Sequence, residues 1–174
     1  MNNKFKSLAA VSALVFLSAC GGGGGDAAPA GPGDPADVPL AQAPALVQQY
    51  AALFNNARAQ SRTCGTVQAP AVAPLTKWNA KLQQAAQKHA DDMATNKFFS
   101  HTGSDGSDVN ARNLAVGYQG TAVSENLAGG SGSPQAIVQA WMNSQGHCLG
   151  IMAGLAQSVA IAKNGVYTVM VFGD

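Results

Sequence analysis

The sequence is short of charge, of aromatic rings and above all of glutamate. Asp, Glu, Lys and Arg make up 11% of its 174 residues and Phe, Tyr and Trp 6%, and Glu125 is the one glutamate. Neither sign of charge dominates: ten Lys/Arg stand against nine Asp/Glu, for a net charge of +1, and two of the ten are Lys4 and Lys6 at the extreme N-terminus. That balance leaves no basic surface of the kind that holds nucleic acid. At 47% hydrophobic overall, the chain after residue 40 is too apolar to stay disordered. Its length suits one domain with an appendage. His-Glu-x-x-His, Gly-x-Ser-x-Gly, a phosphate loop and Cys-x-x-Cys are all missing, so the common metalloprotease, serine hydrolase, nucleotide-binding and dithiol readings have no motif to rest on. No internal repeat is visible.

Cysteine is scarce too, and each of the three has a distinct context. Cys20 closes a segment in which Lys4 and Lys6 precede an apolar run from Leu8 to Ala19. Twelve residues make a helix of about 18 Å, too short for a bilayer core of about 30 Å. A charged start, a short apolar core and small residues before a break describe a secretory signal over residues 1–19. Leu17-Ser18-Ala19-Cys20 also resembles the bacterial lipobox, in which the Cys is acylated after cleavage. An ordinary signal with an incidental Cys is the alternative. Lipidation at Cys20 would anchor the chain to the cell envelope, since several acyl chains on one residue hold stably. Gly21 follows the Cys where an Asp would imply retention in the inner membrane, so in a host with two membranes the outer one is favoured. Residues 20–44 then read as a tether: Gly21 to Gly25 are flexible, and Pro29, Pro32, Pro35, Pro39 and Pro44 stiffen the rest.

The folded unit is expected over residues 45–174. Leu46, Val47, Tyr50, Leu53, Phe54 and Ala57 recur at helical spacing from Pro44 to about Gln60. After a loop from Cys64 to Pro74, Thr76 is the expected cap of a second helix carrying Trp78, Leu82, Ala85, Ala86, His89 and Met93 inward and fraying near Lys97. Residues 100–113, rich in Ser, Gly, Asp and Asn, read as irregular loop, and the vague calcium-loop look of Asp105 to Asn110 fails on its offsets. Ser133-Pro134 starts a further helix that ends near Gly146. Two β-rich runs, Val159 to Lys163 and Val166 to Phe172, are joined by Asn164-Gly165, the strongest short hairpin signal. Helices first and strands last give an α+β fold.

In an exported domain the two remaining thiols, Cys64 and Cys148, most simply form one disulfide. The competing reading is a nucleophilic Cys148 beside His147. Glu125 lies in the otherwise uncharged stretch Val123 to Ala128, and a lone carboxylate there costs several kcal/mol to bury without a partner. Of the three histidines, His89 sits on an apolar helix face and reads as core. His101 and His147 sit in Gly/Ser-rich loop context and are the candidate partners. Two imidazoles and a carboxylate also make a ligand set that a divalent metal such as zinc can use with one position open.

Several short pieces fall in an order that resembles a bacterial CAP domain, also called SCP, of the cysteine-rich secretory protein, antigen 5 and pathogenesis-related 1 superfamily. They are Asn55 to Arg58, Pro74 to Trp78, Phe98 to His101, Ser124 to Ala128, Trp141 to His147, and Tyr167-Thr168 to Phe172-Gly173. The resemblance covers residues 55 to 173 and implies an α-β-α sandwich with a small antiparallel sheet between helical layers. It also implies the Cys64–Cys148 bond and a cleft lined by His101 and Glu125. Two family positions differ: the second acidic residue of eukaryotic members is Ser144 here, and their second histidine is Val166, so their zinc-binding pair is not intact. His147 would supply a replacement imidazole. Three roles are open to such a cleft, the first of them implied by the resemblance. The first is a module that binds a lipid, glycan or protein of the envelope. The second is a hydrolase, metal-assisted or using Glu125 as general base with His101 polarising the substrate. The third is a structural surface protein in which the three side chains only satisfy one another.

Overall fold

The computed structural model describes residues 33–174. The signal segment, Cys20 and the glycine run lie outside the described residues. The chain begins with β1 (Asp37–Pro39) and a 3-10 turn (Leu40–Gln42), then α1 (Ala45–Arg58), a hairpin of β2 (Arg62–Cys64) and β3 (Val67–Ala69), and β4 (Lys77–Asn79). It continues with α2 (Ala80–Asn96), α3 (Val109–Ala115), β5 (Ala122–Gly129), α4 (Pro134–Met142), α5 (Gln145–Ile151), β6 (Ser158–Asn164) and β7 (Tyr167–Gly173). The main sheet has the order β1-β4-β6-β7-β5, so β5 is an edge strand. β4 and β6 run parallel and the other pairs antiparallel, which makes the sheet mixed.

Strand alternation sorts the core into two layers. Val159, Ile161, Met170 and Phe172 face α1 and α4 and pack on Val47, Tyr50, Phe54 and Trp141. Ala160, Ala162, Val169 and Val171 face the other way, onto Leu82, Ala86, Ala90 and Met93 of α2. Helices on both faces of one sheet give the α-β-α sandwich of the α+β class expected from the sequence.

Four local expectations are corrected. First, residues assigned to the tether are part of the fold from Asp34 onward. Asp34 is 3% exposed and accepts from the backbone amides of Ala36 and Gln119, and β1 pairs with β4 through Asp37↔Asn79, Val38↔Trp78 and Pro39↔Lys77. The segment is held by backbone pairing and carboxylates, with no apolar pattern to announce it. Second, α2 begins at Ala80, not after Thr76: β1 and β6 claim residues 77–79 as strand, and the Asn79 side chain accepts from the amides of Lys81 and Leu82. Third, the expected loop at 100–113 contains the start of α3, capped by Asp108 accepting from the amide of Ala111. Fourth, the helix from Ser133-Pro134 stops at Met142, and a separate α5 starts after Ser144.

A buried cation ties the layers together at one end. Arg58, fully buried at the end of α1, donates to the backbone carbonyls of Ala73, Ile151, Ala153 and Ala156. Burial pulls its guanidinium down to about 10. Replacing a buried, hydrogen-bonded charge by an apolar chain of similar length leaves four acceptors unpaired. Arg58→Met should therefore cost about 3–5 kcal/mol. Urea unfolding measures it, and a loss below about 1 kcal/mol would show that water replaces the guanidinium freely.

Candidate functional site

The free edge of the sheet carries the sequence-predicted residues. On β5, Glu125 pairs with Val171 and Leu127 with Val169, which puts Glu125 on the α2 side of the sheet. Ser124 and Asn126 point to the other face. There the Ser124 hydroxyl donates to the Gly150 carbonyl at 3.2 Å, and Asn126 Nδ2 donates to the His147 carbonyl at 3.1 Å. Gly150 is glycine for a reason of space: a Cβ would lie 3.1 Å from Asn126 Oδ1 and 3.2 Å from the Ser124 side chain. α5 thus docks tightly on one face of β5 while Glu125 occupies the other.

The Glu125 side chain is 4% exposed and both of its oxygens are engaged. Arg112 Nη2 donates to Oε2 at 2.6 Å and His101 Nδ1 to Oε1 at 2.8 Å. A carboxylate held by Arg112 accepts, so His101 donates through Nδ1–H, and its Nε2 has no hydrogen-bond partner among the described residues. The His101 side chain is 60% exposed, so that nitrogen is available to a ligand. Arg112 also donates through Nη1 to the carbonyls of His101 (3.0 Å) and Ser107 (2.8 Å), fastening the 100–108 loop to the strand. Charge-assisted bonds of this kind are the strong ones in a protein interior.

The structure brings His101 and Glu125 into direct contact. His147 lies on α5 with its ring 6.5 Å from that of Trp141, and it hydrogen-bonds to neither His101 nor Glu125. Its imidazole is pushed below the usual range by burial and by the charge of nearby His101. Ser144 is the residue before α5, with no capping hydrogen bond from its side chain. Sequence reasoning missed Arg112. The signal was present: a buried carboxylate needs a cation, and Arg112 is one of three arginines in the chain. Phe99, 55% exposed, also lies near the site, its ring stacked on Tyr167 at 6.4 Å.

The metal expectation does not fit this geometry. Both Glu125 oxygens are spent on donors, and among the described residues no three His, Cys, Asp or Glu side chains are placed to hold an ion. Cys64 and Cys148 form a disulfide with Cα atoms 5.5 Å apart. Cys148 is therefore not a free nucleophile, and the bond pins α5 to the β2–β3 hairpin. Closing an 84-residue separation contributes roughly 4 kcal/mol on chain-entropy grounds.

A layered α-β-α domain with a His/Glu/Arg cluster at its sheet edge is the class the fold and site define. The sequence profile of the cysteine-rich secretory protein family (CAP) matches residues 51–170. The chain belongs to this family. Its fold is similar to that of an extracellular SCP-domain protein from Bacillus anthracis str. Ames, with a TM-score of 0.59 and 22% identity over 72% of this chain and 39% of that one. It is also similar to an outer surface protein of Borrelia burgdorferi, with a TM-score of 0.58 and 18% identity over 73% of this chain and 87% of that one. The chain spans well under half of the Bacillus protein. No curated protein sequence matches it.

The histidines set an acid limit. Burial lowers His89 and His147 below the ordinary imidazole value of 6.5. Below that value the unfolded chain binds more protons than the native one, so stability falls as pH falls until the folded values are passed. The urea midpoint should drop between pH 7 and pH 5 with unchanged m-value, and His147→Asn should remove part of the drop. A midpoint that is flat or rises over this range would contradict it.

Proposed function

We propose that this CAP domain is an extracytoplasmic binding module, held at the bacterial envelope by lipid on Cys20, which receives a lipid, glycan or protein ligand at the free sheet edge. The observation that carries the reading is the state of His101. Its Nδ1 is fixed by a buried carboxylate that Arg112 holds in turn, while the ring itself faces solvent. Such a group is preorganised for a partner outside the domain. Phe99 on Tyr167 supplies an exposed apolar surface near it in the chain. The disulfide suits an oxidising compartment, and the similarity to an extracellular protein and an outer surface protein supports the same location.

A hydrolase is the second reading, favoured by one feature. A carboxylate on Nδ1 with Nε2 open is how a general-base histidine is oriented. Ser124 is committed to the Gly150 carbonyl, so the nucleophile would be water activated by His101.

Native mass spectrometry of the full chain, purified from an envelope fraction without chelator, tests the proposal. The wild type should carry acyl mass that Cys20→Ser loses, together with a non-covalent organic adduct. His101→Ala should lose that adduct at least tenfold, and Glu125→Gln should weaken it. An adduct unchanged in His101→Ala, or a wild type that stays bare in envelope extract, would refute the binding reading. His101-dependent turnover of peptide or ester substrates would replace it by the hydrolase.

A further inference from the structure

Asn164 pairs with Tyr167, which leaves Gly165 and Val166 as the whole of the β6–β7 turn. A connection this short needs a left-handed backbone angle at a central residue. Gly165 supplies it with φ +56°, a conformation that glycine adopts at no steric cost. The turn is open on its outer side: Asn164 and Gly165 are both exposed, and no atom lies within 4 Å of where a Gly165 Cβ would stand. The Gly165 amide makes no hydrogen bond, since the strand pairing ends at Asn164 and Tyr167. Of all the asparagines in the chain, Asn164 alone precedes a glycine.

The glycine that the turn requires also bares a reactive nitrogen. An asparagine side-chain carbonyl carbon closes a five-membered ring when it bonds to the backbone nitrogen of the next residue. A side chain on that residue hinders the approach, and a hydrogen bond from the nitrogen holds it back. At Gly165 neither is present. One contact opposes the closure: Asn164 Nδ2 donates to Asp91 Oδ1 of α2 at 2.9 Å, which holds the amide against the helix. Asn96 and Asn143 are exposed as well, but Lys97 and Ser144 follow them and carry a Cβ.

We propose that Asn164 is a site of self-modification, at which the turn converts its own asparagine to aspartate and isoaspartate with water as the co-reactant. The Gly165 nitrogen gives up its proton and bonds to Asn164 Cγ. The Cγ–Nδ2 bond breaks, ammonia leaves with the proton, and a five-membered succinimide remains. Water then opens the ring. Cleavage at Cγ gives an aspartate, and cleavage at the main-chain carbonyl gives an isoaspartate, whose backbone is one carbon longer. Either product removes the donor that Asp91 accepted and sets a second carboxylate beside it. Asp91 is therefore the latch on the reaction, and its bond is what the reaction destroys. Tyr167, the pairing partner of Asn164, is also the residue on which Phe99 stacks, so the lengthened backbone falls beside the exposed aromatic surface. The chemistry needs neither His101 nor its ligand.

The test incubates the folded full chain at mildly acid and at mildly alkaline pH and follows every asparagine by peptide mapping with mass spectrometry. The Asn164 peptide should show the mass change of amide to acid, split between two forms of different retention, and faster at alkaline pH. Asn96 and Asn143 should keep their amides over the same period. Asp91→Ala should speed the conversion about threefold to tenfold, the factor that goes with losing one net hydrogen bond. Asp91→Asn, which keeps an acceptor in the same place, should stay nearer the wild-type rate. Asn164→Gln, whose amide would need a six-membered ring, should hold its mass. An Asn164 amide that survives in the folded chain while the urea-unfolded chain converts would show that the turn protects it, and would overturn the assignment. Equal conversion at Asn96 or Asn143 would overturn it too. A rate that Asp91→Ala leaves unchanged or lowers would overturn the latch.

Discussion

The arrangement of this domain's β5 edge follows from one constraint: a single glutamate is buried on an outermost strand. Its carboxylate is 4% exposed and lies on a sheet face otherwise filled by Leu127, Val169 and Val171. A carboxylate in such a place needs hydrogen-bond donors to offset the cost of its burial. Arg112 meets one oxygen, and in doing so fixes where α3 and the 100–108 loop must lie. His101 meets the other, and its orientation is a consequence. The cluster is a chain of dependence running from a buried carboxylate to an exposed imidazole.

The rest of the fold keeps that edge in place. β7 pairs with β5 over its length, and the two core layers grip β6 and β7 from either side. On the far face of β5, α5 is held by three independent contacts: the close approach at Gly150, the Asn126 bond to the His147 carbonyl, and the disulfide. Arg58 clamps the segment that follows α5 through the carbonyls of Ile151, Ala153 and Ala156. A strand edge is ordinarily the most adaptable part of a sheet. Here it is stiffened from both faces, which suits a site that presents one fixed imidazole.

What was legible in the sequence were the elements whose local pattern and tertiary role agree. The β6–β7 hairpin follows from apolar runs around Asn164-Gly165, and α1 from its 3.6 spacing, because in each case the pattern faces a core. Glu125 stood out by rarity. β5 did not read as a strand, because Ser124, Glu125 and Asn126 are polar on both faces, each answering a different neighbour. β1 and β4 were hidden for the opposite reason: three-residue strands held by backbone bonds and by Asp37 carry too little pattern to see. Arg112 escaped because its role depends on a contact thirteen residues away, across a loop whose composition gives no hint of its path.

The direct measure of this account is a double-mutant cycle between Arg112 and Glu125, each changed to Ala singly and together, followed by urea unfolding. If the buried carboxylate is the constraint described, each single variant strands a charge or its partner, and the double variant relieves that cost. The coupling energy should then be about 2–4 kcal/mol, with the double variant more stable than the sum of the singles predicts. Single losses that add to within about 0.5 kcal/mol would contradict it, and would leave Arg112 and Glu125 as neighbours without a shared role.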